Sequence, residues 1–172
     1  FLLLTDRAVL WYKSDRGVCR AMPTRSRAAE FLRETTGVET IEYAVAAAQA
    51  FARANGIDKT VFDSPKARLG IVTTGKSYLD VLQALEYLGI GQQEAADIGI
   101  RVYKVGMTWP LEPVGIRAFA EGLEDIIVVE EKRSFIESQM KEYMFNWDVR
   151  PHVVGKYDEA GEWILPSTHE LT

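Results

Sequence analysis

From Leu69 onward, short apolar runs alternate with stretches in which apolar residues recur at helical spacing, the pattern of βαβ units. The runs predict strands over residues 69–73, 101–105, 126–130 and 149–154, with helices over 77–88, 114–123 and 135–145 between them. In the first helix Val81, Leu82, Leu85 and Leu88 fall on one face, and Ser77 with Asp80 reads as a capping box. Pro113 suits the first turn of the second helix. A turn at Glu159-Ala160-Gly161 followed by Trp163-Ile164-Leu165 predicts a short antiparallel edge. Together these elements predict an α/β fold, a three-layer sandwich around a mostly parallel sheet.

The first third has a different pattern. Residues 1–4 and 8–12 flank Thr5-Asp6-Arg7 and suit a hairpin, and Arg16, Arg20, Arg25 and Arg27 then form a cluster that reads as a solvated loop. An alanine-rich helix is predicted over 39–55, stopped by Gly56. Ser64-Pro65 marks the entry to the alternating portion. The expected division is a hairpin, loop and helical lead-in over 1–56 and an α/β domain over 57–172. There is no internal repeat and no low-complexity segment.

Composition narrows the function classes. Of the 172 residues, 47% are hydrophobic, enough to bury a core, and the net charge of -5 argues against nucleic acid as the main partner. The single cysteine, Cys19, excludes an internal disulfide framework and a cysteine-only metal or iron–sulfur site, and fits a reducing compartment. Phe1-Leu2-Leu3-Leu4 is too short for a signal segment, and no run approaches the ~20 apolar residues of a membrane helix. A cytoplasmic protein without a membrane partner is expected. Because the chain opens on Phe1, a fragment of something larger is also expected.

Residues Gly70 to Ser77 match the phosphate-loop pattern G-x-x-x-x-G-K-[ST] at every defined position. The intervening Ile71, Val72, Thr73 and Thr74 are all β-branched and favour extended backbone, whereas a phosphate cradle needs small residues whose N–H groups curl inward. The first glycine would then lie inside a strand, leaving a tight βα turn at Gly75-Lys76-Ser77. The strand end and helix start still form a place where α/β sheets bind anions. Glu131 ends the following strand on the same edge, and Trp109 lies in a loop at the end of another, so Gly75, Lys76, Ser77, Trp109 and Glu131 are the candidate anion or interface residues. A Lys76–Glu131 ion pair and a Trp109 buried against a neighbouring domain are the simpler readings. His152 reads as a packed or edge histidine and His169 has no recognisable partner. No nucleophile–base–acid set and no spaced metal ligands are found, so no catalytic and no metal residue is assigned.

The runs Asp63-Ser64-Pro65, Arg68 to Asp80, Val105 to Pro113, Val128 to Arg133, Val154-Gly155-Lys156-Tyr157-Asp158 and Leu165-Pro166-Ser167, taken in order, resemble the indolepyruvate ferredoxin oxidoreductase family over residues 43–172. More narrowly they resemble its transketolase C-terminal-like domain. The resemblance implies a fragment of a thiamine-diphosphate-dependent enzyme that oxidatively decarboxylates an aryl 2-oxoacid to an acyl-CoA and passes electrons through iron–sulfur centres to ferredoxin. It implies thiamine diphosphate, Mg2+ and iron–sulfur clusters in the parent enzyme, none of them held by this chain. Other domains of the same oxidoreductase would be its partners, with ferredoxin and CoA serving the parent, in a homo-oligomer. This domain would then be structural or interface-forming and inactive alone. The alternatives are a P-loop NTPase and a stand-alone anion-binding module of transketolase C-terminal type.

Overall fold

A computed structural model describes residues 3–4, 10–13, 19–20 and 41–168, with side chains from residue 44 onward. The chain divides into two compact units, Phe1–Phe51 and Ala52–Thr172. In the first, β1 (Leu3–Leu4), β2 (Leu10–Lys13) and β3 (Cys19–Arg20) form an antiparallel sheet in that order, with Leu3 opposite Trp11 and Tyr12 opposite Arg20. Of the arginine cluster only Arg20 falls in a described element; Arg16, Arg25 and Arg27 lie outside the described residues, as does His169. Helix α1 spans Ile41–Ala54 and stops where Gly56 takes a φ of +55°, a conformation glycine adopts at little cost.

The second unit is built on a five-stranded sheet of order β4-β6-β5-β7-β8: β4 (Lys59–Phe62), β5 (Leu69–Thr74), β6 (Ile100–Val105), β7 (Asp125–Val129) and β8 (His152–Val154). Strand β4 is antiparallel to β6 and every other pair is parallel. Side chains alternate between faces as the pleat requires. Val72, Tyr103, Val105, Ile126 and Val128 pack under α4 (Pro113–Ala120) and α5 (Ile136–Met144) with Ile116, Phe119, Ile136, Met140 and Met144. On the other face Ile71 and Val102 meet Val81 and Leu85 of α2 (Gly75–Tyr87) and Ala95 of α3 (Gln92–Ile98). The expected α/β fold with three layers and a mostly parallel sheet is the fold observed. Among the described residues no helix is long and apolar enough to cross a membrane.

Two elements were not expected. Strand β4 is a four-residue edge whose residues are all exposed or half-buried, so it carries no strong apolar period. Helix α3 is seven residues long and buries only Ala95, too short for a periodic signal. Boundaries shift for local reasons. Strand β8 begins only at His152, because Pro151 at its head has no N–H for a ladder bond. Helix α4 ends at Ala120 instead of reaching residue 123, and Gly122, at φ +80°, turns the chain so that Leu123 re-enters the core.

Candidate functional site

Three parallel strands bring their carboxyl ends together. Thr74 of β5 lies opposite Val105 of β6, and Thr73 lies opposite Val129 of β7. The turn at 75–77, the loop 106–112 and the segment 130–135 therefore emerge side by side. Gly75, Lys76 and Ser77, with Trp109 and Glu131, all sit at this edge.

Gly70 lies inside β5, the second of its six residues, as the β-branched interior of the motif requires. A methyl carbon at Gly70 would sit 2.5 Å from Leu123 Cδ1 and 2.8 Å from Phe119 Cζ, so its missing side chain makes room for helix packing and not for a phosphate. The turn itself is made by Gly75 at φ +53° after an extended Thr74, whose Oγ1 donates to the Val105 carbonyl at 2.9 Å.

The capping box read at Ser77 and Asp80 is not formed. The left-handed Gly75 reverses the chain two residues earlier, so α2 starts at Gly75 with Thr74 in the cap position and no side-chain cap bond. Ser77 instead belongs to the buried stripe of the helix with Val81 and Leu85. Asp80 accepts from Lys76 Nζ at 3.2 Å through both oxygens, an i,i+4 pair on the helix surface.

The loop 106–112 is braced from several sides. Asp58 Oδ1 accepts from the amides of Gly106 (2.7 Å) and Met107 (3.1 Å), and burial pushes the Asp58 carboxyl up against the pull of those two bonds. Trp109 is half-buried and joined to Pro110 by a cis peptide bond. Gln139 of α5 holds the loop by accepting from the Leu111 amide at 2.9 Å and donating to the Thr108 carbonyl at 2.9 Å. Glu112 caps α4, accepting from the amides of Val114 and Gly115, and also pairs with Arg53 at 2.6 Å.

The segment 130–135 holds a buried charge network. Glu130, 3% exposed, accepts from the amides of Phe135 (2.9 Å), Ile136 (2.9 Å) and Glu137 (3.1 Å), occupying the positive start of α5 with its own carboxylate. Lys156, 1% exposed, donates through Nζ to the Glu130 carbonyl and to the Pro166 carbonyl, and its amide donates to Glu137 Oε2 at 3.2 Å. Burial pushes the Glu130 carboxyl up against its three amide donors and Lys156, and pushes the Lys156 ammonium down against Glu130, Glu137 and Glu131. Lys132 sits at φ +60°, turning the chain between β7 and α5. Among the described residues, the buried side-chain atoms without a hydrogen-bond partner are Asp58 Oδ2, Thr73 Oγ1, Ser77 Oγ and Glu131 Oε1, and all four lie at or beside this edge.

Sequence reasoning singled out the turn, Trp109 and Glu131 but assigned no role to Asp58, and missed the pairing of Glu130 with Lys156. A charged residue directly after an apolar run, as in Val129-Glu130 and Gly155-Lys156, was the available signal.

The chain's donors do not suit the large cofactors of 2-oxoacid oxidation. Cys19 alone cannot ligate an iron–sulfur cluster. A diphosphate at the Gly75–Ser77 turn would meet a strand packed by Phe119 and Leu123 where a cradle would need open backbone. The edge is a braced junction of three loops in a three-layer α/β domain.

The family whose domain is described as the indolepyruvate oxidoreductase domain matches residues 59–172. The chain belongs to that family. It is 29% identical over 106 residues to indolepyruvate oxidoreductase subunit IorA of Pyrococcus abyssi, covering 62% of this chain and 14% of that protein. Against the IorA subunit of Thermococcus kodakarensis the identity is 30% over 107 residues, with 62% and 14% covered. The chain thus spans about 14% of the length of the curated relatives it matches. Among solved structures, a split-gene transketolase in an inactive β4 tetramer is similar at a TM-score of 0.45 and 19% identity, covering 59% of this chain and 32% of that one.

Proposed function

We propose that this chain is part of a thiamine-diphosphate-dependent indolepyruvate:ferredoxin oxidoreductase, and that residues 57–172 are its connecting, interface-forming domain, preceded by a lead-in over 1–56. The family match over residues 59–172 carries this reading. In the parent enzyme an aryl 2-oxoacid and CoA give an acyl-CoA and CO2, and the two electrons released pass through iron–sulfur centres to ferredoxin. Thiamine diphosphate, Mg2+ and the clusters belong to the parent's other domains, which are this domain's partners in a cytoplasmic homo-oligomer.

The domain's contribution is positional. The carboxyl edge carrying Gly75, Lys76, Ser77, Trp109 and Glu131 is the face offered to a neighbouring domain. Its loops are cross-braced by Asp58, Gln139, Glu130 and Lys156, which suits a surface that must keep its shape under contact.

The test is made on the full enzyme. Reconstituted with thiamine diphosphate, Mg2+ and iron–sulfur clusters, it is expected to reduce a ferredoxin-type acceptor in the presence of indolepyruvate and CoA. Failure to retain thiamine diphosphate together with absence of acceptor reduction would overturn the reading.

A further inference from the structure

We propose that Asp125, His152 and Glu159 form a binding site for a divalent transition metal, Zn2+ in the first instance. His152 Nδ1 lies 3.3 Å from Asp125 Oδ1 and 3.4 Å from Glu159 Oε1, and the three ligand atoms all lie within 4.8 Å of one another. A tetrahedral Zn2+ with bonds of about 2.0–2.2 Å sets its donors about 3.3–3.6 Å apart, so two of the three separations already suit one ion.

The backbone fixes this meeting. Asp125 and His152 are register partners at the heads of the parallel strands β7 and β8, and the His152 amide donates to the Glu124 carbonyl at 2.9 Å. Glu159 is delivered by a tight turn. Within it the Asp158 amide donates to the Glu162 carbonyl, the Gly161 amide to the Asp158 carbonyl, and the Glu162 amide to Asp158 Oδ1. Below the turn, Tyr157 and Trp163 form a bridge with stacked rings.

The chemistry selects the ion. An imidazole nitrogen facing two carboxylates carries at most one proton for the pair, and in the Nε2–H tautomer it turns a lone pair toward negative charge. A dication satisfies all three donors and balances the two carboxylates. The mixed nitrogen and oxygen set favours Zn2+ or Co2+ over Ca2+ and Mg2+, which take oxygen ligands. The side chains of His152, Asp125 and Glu159 are 72%, 57% and 68% exposed, so a hydrated ion reaches them and a water completes the coordination. Lys141 and Arg150 line the same hollow, but Lys141 is held by Glu137 and Arg150 by the Phe145 and Trp147 carbonyls.

This site lies at the amino ends of the strands, roughly 16 Å along β7 from Glu130. Its role is a staple that fastens the turn at 157–163 to the sheet edge, independent of the oxidoreductase reading. The test titrates the metal-free 172-residue chain with Zn2+ by calorimetry and with Co2+ by visible absorption. One-to-one uptake at micromolar concentration is expected, with no saturable uptake of Mg2+. His152→Ala is expected to weaken Zn2+ about tenfold or more, as are Asp125→Asn and Glu159→Gln, while Glu94→Gln on α3 leaves it unchanged. Absence of saturable Zn2+ binding, or binding that all three exposed-site variants retain, would overturn the proposal.

Discussion

Replacing Glu130 with alanine is expected to cost about 3–5 kcal/mol of stability, read as a lowered urea midpoint at unchanged slope. The carboxylate receives the amides of Phe135, Ile136 and Glu137 where α5 starts under the sheet. Alanine leaves those donors buried without an acceptor, and a buried orphan donor costs about 1–3 kcal/mol. It also removes the carboxylate that most opposes the desolvation of Lys156. Glu130→Gln keeps one oxygen and is expected to fall between wild type and alanine. A loss below about 1 kcal/mol for Glu130→Ala would show that the network does not hold α5 to the sheet.

Gly70→Val is expected to cost about 2–3 kcal/mol through overpacking. The added carbons collide with Leu123 and Phe119 on one side and with Ile126, whose Cγ1 lies 3.2 Å from the Cβ position. Because the obstacle is side chains, a smaller partner relieves it: Gly70→Val with Leu123→Ala is expected to cost less than the sum of the two changes, a coupling of about 0.5–3 kcal/mol in a double-mutant cycle. Additive costs would mean that Gly70 is not packed beneath Leu123. A glycine serving a phosphate loop would show the opposite profile, with stability retained and ligand affinity lost.

The layered fold was legible because its central strands are β-branched runs buried on both faces and its long helices keep a clear apolar stripe. Ile71-Val72-Thr73-Thr74 announced extended backbone strongly enough to outweigh a full motif match. The short elements were not legible, since β4 and α3 owe their place to pairing and to one buried alanine. At the edge, the turn at Gly75 was readable from the glycine. The register of the helix behind it was not, because a capping box at Ser77 and a left-handed turn at Gly75 compete for the same residues and only backbone geometry decides. The Glu130 and Lys156 network joins positions 26 apart in sequence, and the Asp125, His152 and Glu159 cluster joins three separate segments; neither leaves a local spacing to read.

The most direct measurement on the Gly70–Ser77 stretch is calorimetric titration of the chain with magnesium-ATP. The buried strand and tight βα turn predict no saturable heat, and no difference between wild type and Lys76→Ala. Micromolar binding abolished by Lys76→Ala would contradict the account.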